Sequence, residues 1–153
     1  MKFAHMADCH IGSWRDQKLR DLSIKAFIKA IDECIKQNVD FLLISGDLFN
    51  TALPAIDSLK LAVKKLKDLK DKNIPVYGIA GSHDYSSSGK TMIDVLVNAG
   101  LFTDVFKGSV EHEIITLDFT EDKKTGARTG IRSGGGFGCA ADRRYWIASS
   151  TSA

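Results

Sequence analysis

Three things are scarce in this sequence: paired cysteines, long apolar runs and net charge. Its three cysteines, Cys9, Cys34 and Cys139, are widely spaced and form no CxxC pair. An odd set without pairs argues against a disulfide framework and reads as thiols in a reducing, intracellular compartment. Cys9 and Cys34 are expected to be small buried apolar groups rather than ligands. No stretch is apolar for long enough to cross a bilayer. The opening residues, Met1-Lys2-Phe3-Ala4-His5-Met6-Ala7-Asp8, hold an apolar run too short for a secretory leader, broken by His5 and Asp8. The expected location is therefore the cytoplasm, with no membrane partner. A formal net charge of +2 is too small to announce a nucleic-acid partner, so any case for one must come from a site. What the chain does have is 153 residues, 44% apolar and 26% charged, enough for the core of one soluble domain or of part of a larger one.

Three apolar runs, Lys2–Ala7, Phe41–Ser45 and Val76–Ala80, read as buried parallel strands. Helical spacing lies between them. Leu22, Ala26, Phe27, Ala30, Ile31, Cys34 and Ile35 mark a helix over about 21–37, and Ile56, Leu59, Val63, Leu66 and Leu69 mark another over about 55–72, with Pro54 at its start. A shorter helix over about 91–99 stops at Gly100. Strand, helix, strand, helix, strand is the signature of an α/β fold with a parallel βαβαβ sheet. From Val110 to Phe119 the pattern alternates and predicts a further strand, one that need not join the first sheet. Periodicity fades after about Arg132, where SGGGFG and IASSTSA occur. Residues 1–132 are accordingly taken as folded domain, and 133–153 as a Gly/Ser-rich tail, either a flexible segment or the product of a truncated or frame-shifted gene.

Each of the three strands is followed by a polar motif. Asp8-Cys9-His10 follows the first; on an extended backbone positions i and i+2 face the same way, so carboxylate and imidazole can hold one ion. Ser45-Gly46-Asp47-Leu48-Phe49-Asn50 follows the second, and Gly46 permits the tight path that presents Asp47, whose two oxygens could bridge two cations. Gly81-Ser82-His83-Asp84 follows the third; a loop histidine beside an aspartate suits proton donation. Each motif alone is common in turns and loops. Their conjunction is specific, because open α/β sheets place ligands at the carboxyl ends of their strands, so Asp8, His10, Asp47, Ser82 and His83 should converge. Other features carry less. Gly89-Lys90-Thr91 resembles the end of a phosphate loop, but the earlier glycine that loop needs is Asp84 here. Lys60, Lys64, Lys65, Lys67 and Lys70 form a solvated helix face, with phosphate binding a minor alternative. Ser86-Ser87-Ser88 reads as a turn, His5 as structural and His112 as an exposed strand residue.

The set D-x-H, GDLF and GSHD after three strands is similar to the calcineurin-like metallophosphoesterase superfamily. Within it, SGDLFN and VYGIAGSHDYSSSGKTMIDVL resemble the SbcD-type (meiotic-recombination-eleven-type) nucleases of DNA double-strand-break repair, in an archaeal branch. The resemblance covers about residues 1–132. It implies a layered α/β/β/α metallophosphoesterase fold, of which this is the N-terminal portion, and two metal ions, usually Mn²⁺, with Mg²⁺ or another divalent ion as alternatives. Asp8 and His10 would hold the first ion, Asp47 would bridge the two, and Ser82 stands where the family usually has a metal-binding Asn. His83 would protonate the leaving group and Asp84 would orient His83. The resemblance further implies a Rad-fifty-type (SbcC-type) ATPase partner, DNA ends as substrate, and a homodimer through helices at about 56–70 and 91–99. Leu59, Leu66, Met92, Val95 and Leu96 there exceed what one core face needs. Two departures stand out: serine is a weaker ligand than an amide carbonyl, and the family's later histidines, including a Gly-His-x-His motif, have no counterpart after His83, where only His112 remains.

The chemistry implied is in-line displacement at phosphorus, with two cations about 3.5–4 Å apart clamping the attacking and leaving oxygens. Oxygen and imidazole ligands suit Mn²⁺. The resemblance alone implies 3′ to 5′ exonuclease and single-strand endonuclease activity. Two other readings compete: a non-catalytic module that folds, dimerises and binds the ATPase partner, favoured by the missing histidines; and a phosphoesterase of the same superfamily acting on proteins or small molecules, disfavoured by the loop after His83.

Overall fold

The structure, a computed structural model, describes residues 1–86, 88–89, 91–105, 108–111, 114–117 and 120–129. The tail at 133–153 and its boundary, Cys139, His112, Ser87 and Lys90 lie outside the described residues. The chain divides into two compact units, Met1–Asp104 and Val105–Ala153.

The first unit runs β1 (Phe3–Met6), α1 (Gln17–Lys36), β2 (Phe41–Ser45), α2 (Ile56–Asp71), β3 (Val76–Ile79), α3 (Met92–Asn98) and β4 (Thr103–Asp104). Its four strands lie in chain order, β1-β2-β3-β4, all parallel. The register sets Phe3 beside Phe41 and Leu42 beside Val76. Crossovers of one hand that always step the same way leave every helix on the same face of the sheet. One core follows: Phe27, Ile31 and Cys34 of α1, Leu66 and Leu69 of α2, and Ile93 and Leu96 of α3 pack with Leu42, Ile44 and Val76. Alternation sends Phe41, Leu43, Tyr77 and Ile79 to the opposite face, where they are also buried. Phe41 stacks on Phe3 at 5.4 Å and meets Tyr77 edge-on at 5.9 Å.

Four expectations need correction. The first apolar run is not buried: β1 is the edge of the sheet, with Phe3 and His5 exposed. Helix α1 begins at Gln17, four residues before the expected start at about 21, because the Asp16 carboxylate caps it by accepting from the Leu19 amide at 3.0 Å. Lys65 does not belong to a solvated face; its ammonium is largely covered and bridges Asp32 of α1 at 2.7 Å and Asp68 at 3.3 Å. Leu66 and Leu96, counted as surplus apolar residues, are core, and the exposed ones are Leu53, Ile56 and Val95. Lys60, Lys64 and Lys67 are exposed as expected. Thr91, the last residue of the phosphate-loop look-alike, caps α3 by accepting from the Ile93 amide at 3.1 Å.

In the second unit the alternation at 110–119 is two strands rather than one. Strand β5 (Gly108–Glu111) pairs antiparallel with β6 (Ile114–Leu117), outside the first sheet. A second hairpin pairs β7 (Thr120–Glu121) with β8 (Arg128–Thr129), and the buried Asp122 carboxylate accepts from the Thr125 amide and hydroxyl in its turn.

Candidate metal centre

The loops leaving β1 and β2 continue the pairing of their strands. The Asp8 amide donates to the Gly46 carbonyl at 3.3 Å, His10 to Asp47 at 2.9 Å, and Ile11 to Leu48 at 3.0 Å. Buried Ile11 and Phe49 anchor this zipper in the core. Along it the backbone turns left-handed at Asp8 (φ 51), His10 (φ 44) and Asp47 (φ 48). Asp8 and His10 therefore face each other through two left-handed residues, not through the extended i, i+2 geometry expected from sequence. Such conformations are uncommon outside glycine, although Asp and His tolerate them best, and they concentrate where function constrains the chain.

The loop after β3 docks against this pair. Gly81 has no alternative: a Cβ there would collide with the Asp47 amide and carboxylate. The Asp84 carboxylate is buried and accepts from the amides of Leu48 (3.2 Å), Phe49 (2.9 Å) and Gly81 (2.9 Å). Burial pushes its carboxyl above the usual carboxylate range, while the same three amides pull the other way. Asp84 thus binds two loops together, and the His83 ring has a different partner: its Nδ1–H donates to the Asn50 carbonyl at 3.0 Å. A carbonyl only accepts, so the neutral ring carries its proton on Nδ1 and leaves Nε2 as the available nitrogen. The His83 amide donates to Asp47 Oδ1 at 2.9 Å. Asn50 had no legible signal in the sequence, since its contribution is a main-chain carbonyl that any residue type carries.

The result is a cluster. His10 Nε2 lies 3.8 Å from both Asp8 Oδ1 and Asp47 Oδ2. Ligand atoms of His10, Asp47 and His83 all lie within 4.8 Å of one another, and the two imidazoles meet edge-on at 4.9 Å. Donors spaced at 3.8 Å are too far apart for a hydrogen bond. They suit a shared ion, since two ligands each about 2.0–2.2 Å from a cation sit no more than about 4 Å apart. Carboxylate and imidazole donors are what a divalent ion of the Mn²⁺ or Zn²⁺ kind takes. His10 Nδ1 is buried with no hydrogen-bond partner among the described residues. Ser82 sits exposed on the turn between Gly81 and His83. Cys9 is half-buried between Asp8 and His10, and burial, then Asp8 and Asp84, push its thiol up to about 12. His5 is held elsewhere, 2.7 Å from the Ser45 hydroxyl.

A profile of the calcineurin-like phosphoesterases matches residues 1–134. The chain belongs to this family. It is thus a member of a family of phosphoester hydrolases, with three of its strand-end motifs gathered in one place. Similar sequences carry the name DNA double-strand break repair protein Mre11. The one from Archaeoglobus fulgidus is 36% identical over 107 residues, which is 66% of this chain and 23% of that protein. Those from Methanococcus maripaludis (40% over 91 residues; 58% and 24%) and Saccharolobus solfataricus (37% over 90 residues; 55% and 23%) are comparable. The chain spans about a quarter of the length of these relatives.

Proposed function

We propose that this phosphoesterase chain carries the first part of a metal-dependent DNA nuclease of double-strand-break repair, acting on DNA ends as a 3′ to 5′ exonuclease and single-strand endonuclease. The observation that carries the reading is the convergence of His10, Asp47 and His83 within 4.8 Å, with Asp8 3.8 Å from His10, at the ends of three adjacent strands. The similarity to proteins named for DNA double-strand break repair supports the substrate.

Asp8, His10 and Asp47 would hold one divalent ion, Mn²⁺ by preference, and Asp47 and Ser82 would hold a second. A bound pair supplies polarisation of the phosphoryl oxygens and a lowered pKa for coordinated water. His83, fixed by the Asn50 carbonyl, turns Nε2 toward the substrate and in its imidazolium form gives a proton to the leaving oxygen. Asp84 acts on this arrangement only through the loops it ties. The protein works in the cytoplasm with an ATPase of the Rad-fifty type and self-associates through α2 and α3, where Leu53, Ile56 and Val95 are exposed. Among the described residues no helix is long and apolar enough to cross a membrane.

The deciding experiment uses a version of the protein extended to the length of its relatives. His83→Ala should keep metal and DNA binding and lose turnover by about 10²–10⁴-fold, the contribution of a general acid. Loss of bound Mn²⁺ in that variant would make His83 a ligand instead.

A further inference from the structure

We infer that Trp14 is a stacking platform for an unpaired nucleobase beside the metal centre; the assignment rests on the polynucleotide reading above. Three observations carry it. Trp14 is 59% exposed, although tryptophan is among the most buried side chains on average and exposes its ring where another molecule covers it. Its backbone is left-handed at φ 73, which for a bulky non-glycine residue is a genuine outlier, and such outliers gather at binding sites. It also lines a cavity of about 400 Å³ together with Asp8, His10, Ser13 and Asn50, a volume in the range of sites that take small organic groups.

The strained conformation is held in place from α1. The Arg20 guanidinium donates to the Trp14 carbonyl from Nε at 3.2 Å and from Nη2 at 2.9 Å. Arg20 is itself fixed by the Asp16 cap, whose carbonyl accepts the Arg20 amide at 3.0 Å. On the other side the Ser13 amide closes a turn on the His10 carbonyl at 2.9 Å. The indole is therefore tied to the same loop that presents Asp8 and His10. The strain does not bring the indole into the core, since Trp14 remains 59% exposed.

A flat aromatic surface next to a phosphate-binding centre selects by stacking. Every nucleobase has a π-face, so the contact tolerates any sequence. A base inside a duplex has both faces covered by its neighbours, so along a duplex the platform finds no free face. Trp14 thus directs the centre to single-stranded or frayed polynucleotide and leaves base identity unread.

The test uses this chain with Trp146→Phe, which leaves Trp14 as the single tryptophan of the two in the sequence. Oligothymidylate and an abasic strand of equal length are titrated in Mg²⁺, following tryptophan emission and, separately, affinity by anisotropy. Oligothymidylate should quench Trp14 and the abasic strand should not. Trp14→Ala, measured by anisotropy, should weaken oligothymidylate binding about 5–150-fold, the range of one aromatic–base stack, and leave abasic binding unchanged. Trp14→Phe should restore most of the loss, which separates stacking from a folding defect. Equal binding of oligothymidylate by Trp14→Ala and its parent, or equal quenching by both strands, overturns the assignment while the polynucleotide reading stands. Binding of neither strand by the parent overturns that reading and this one with it.

Discussion

Asp47 is the residue on which the candidate centre turns, because its two carboxylate oxygens have separate tasks. Oδ1 accepts the His83 amide at 2.9 Å and Oδ2 faces His10 Nε2 at 3.8 Å. Asp47→Ala removes a donor that both proposed ions share and should abolish binding of the metal pair; Mn²⁺ calorimetry on the extended protein checks this, and unchanged stoichiometry and affinity would end the bridging role. Asp84 makes a contrasting case. Its side chain takes three buried amides and touches no ligand ring. In Asp84→Asn whichever oxygen is kept, at least one of those amides faces an NH₂ group, because Leu48 and Gly81 share Oδ2 and Phe49 uses Oδ1. An unsatisfied buried donor costs about 1–3 kcal/mol. Denaturant unfolding of Asp84→Asn should show a loss of that size, and an unchanged midpoint would mean that the loops are held by other contacts.

At the scale of elements, the helices serve the site by staying on one face and leaving the strand ends open. Lys65 joins α2 to α1 through Asp32, and apolar residues of α1, α2 and α3 share a common core, although Leu19 and Leu22 at the start of α1 stay exposed. What is left over around α2 and α3 is small: Ile56 at the start of α2, Leu53 just before it, and Val95 on α3, between 50% and 72% exposed. This remnant is the argument for self-association. Sedimentation velocity should show a dimer at micromolar concentration, and Ile56→Asp combined with Val95→Asp should shift it to monomer. A monomer at every concentration in the parent would count against the interface.

For the molecule as a whole, the inventory of ligands is short. The four histidines are His5, His10, His83 and His112. His5 lies within β1 against Ser45, and His112 lies outside the described residues. In the proposed arrangement the first ion would have Asp8, His10 and Asp47, whereas the second would have only Asp47 and a neutral serine hydroxyl. Two ligands of that kind hold a hydrated divalent ion poorly. These 153 residues by themselves should bind at most one Mn²⁺, weakly, and show no measurable nuclease activity. Manganese-dependent degradation of linear DNA by the purified chain, abolished by Asp47→Ala, would show the centre to be sufficient as it stands.

The sequence by itself determined the order of elements and the place of the candidate site. Apolar runs and helical stripes are periodic signals written in residue type, so β2 was legible to the residue, and α2 and β3 to within one residue at each end. Polar motifs directly after three such strands pointed to the gathering of His10, Asp47 and His83, with Asp8 beside His10; Ser82, expected to join them, sits exposed on its turn. Other matters were decided only by tertiary structure, because they depend on neighbours that are distant in the chain. Whether Phe3 is buried depends on which strands flank β1. The role of Asp84 was set by three amides from two loops, and that of Asn50 by a carbonyl that carries no residue signature. The left-handed turns at Asp8, His10 and Trp14 are likewise invisible in residue type, since nothing in Asp, His or Trp demands a positive φ; the zipper between two loops and the Arg20 clamp impose it.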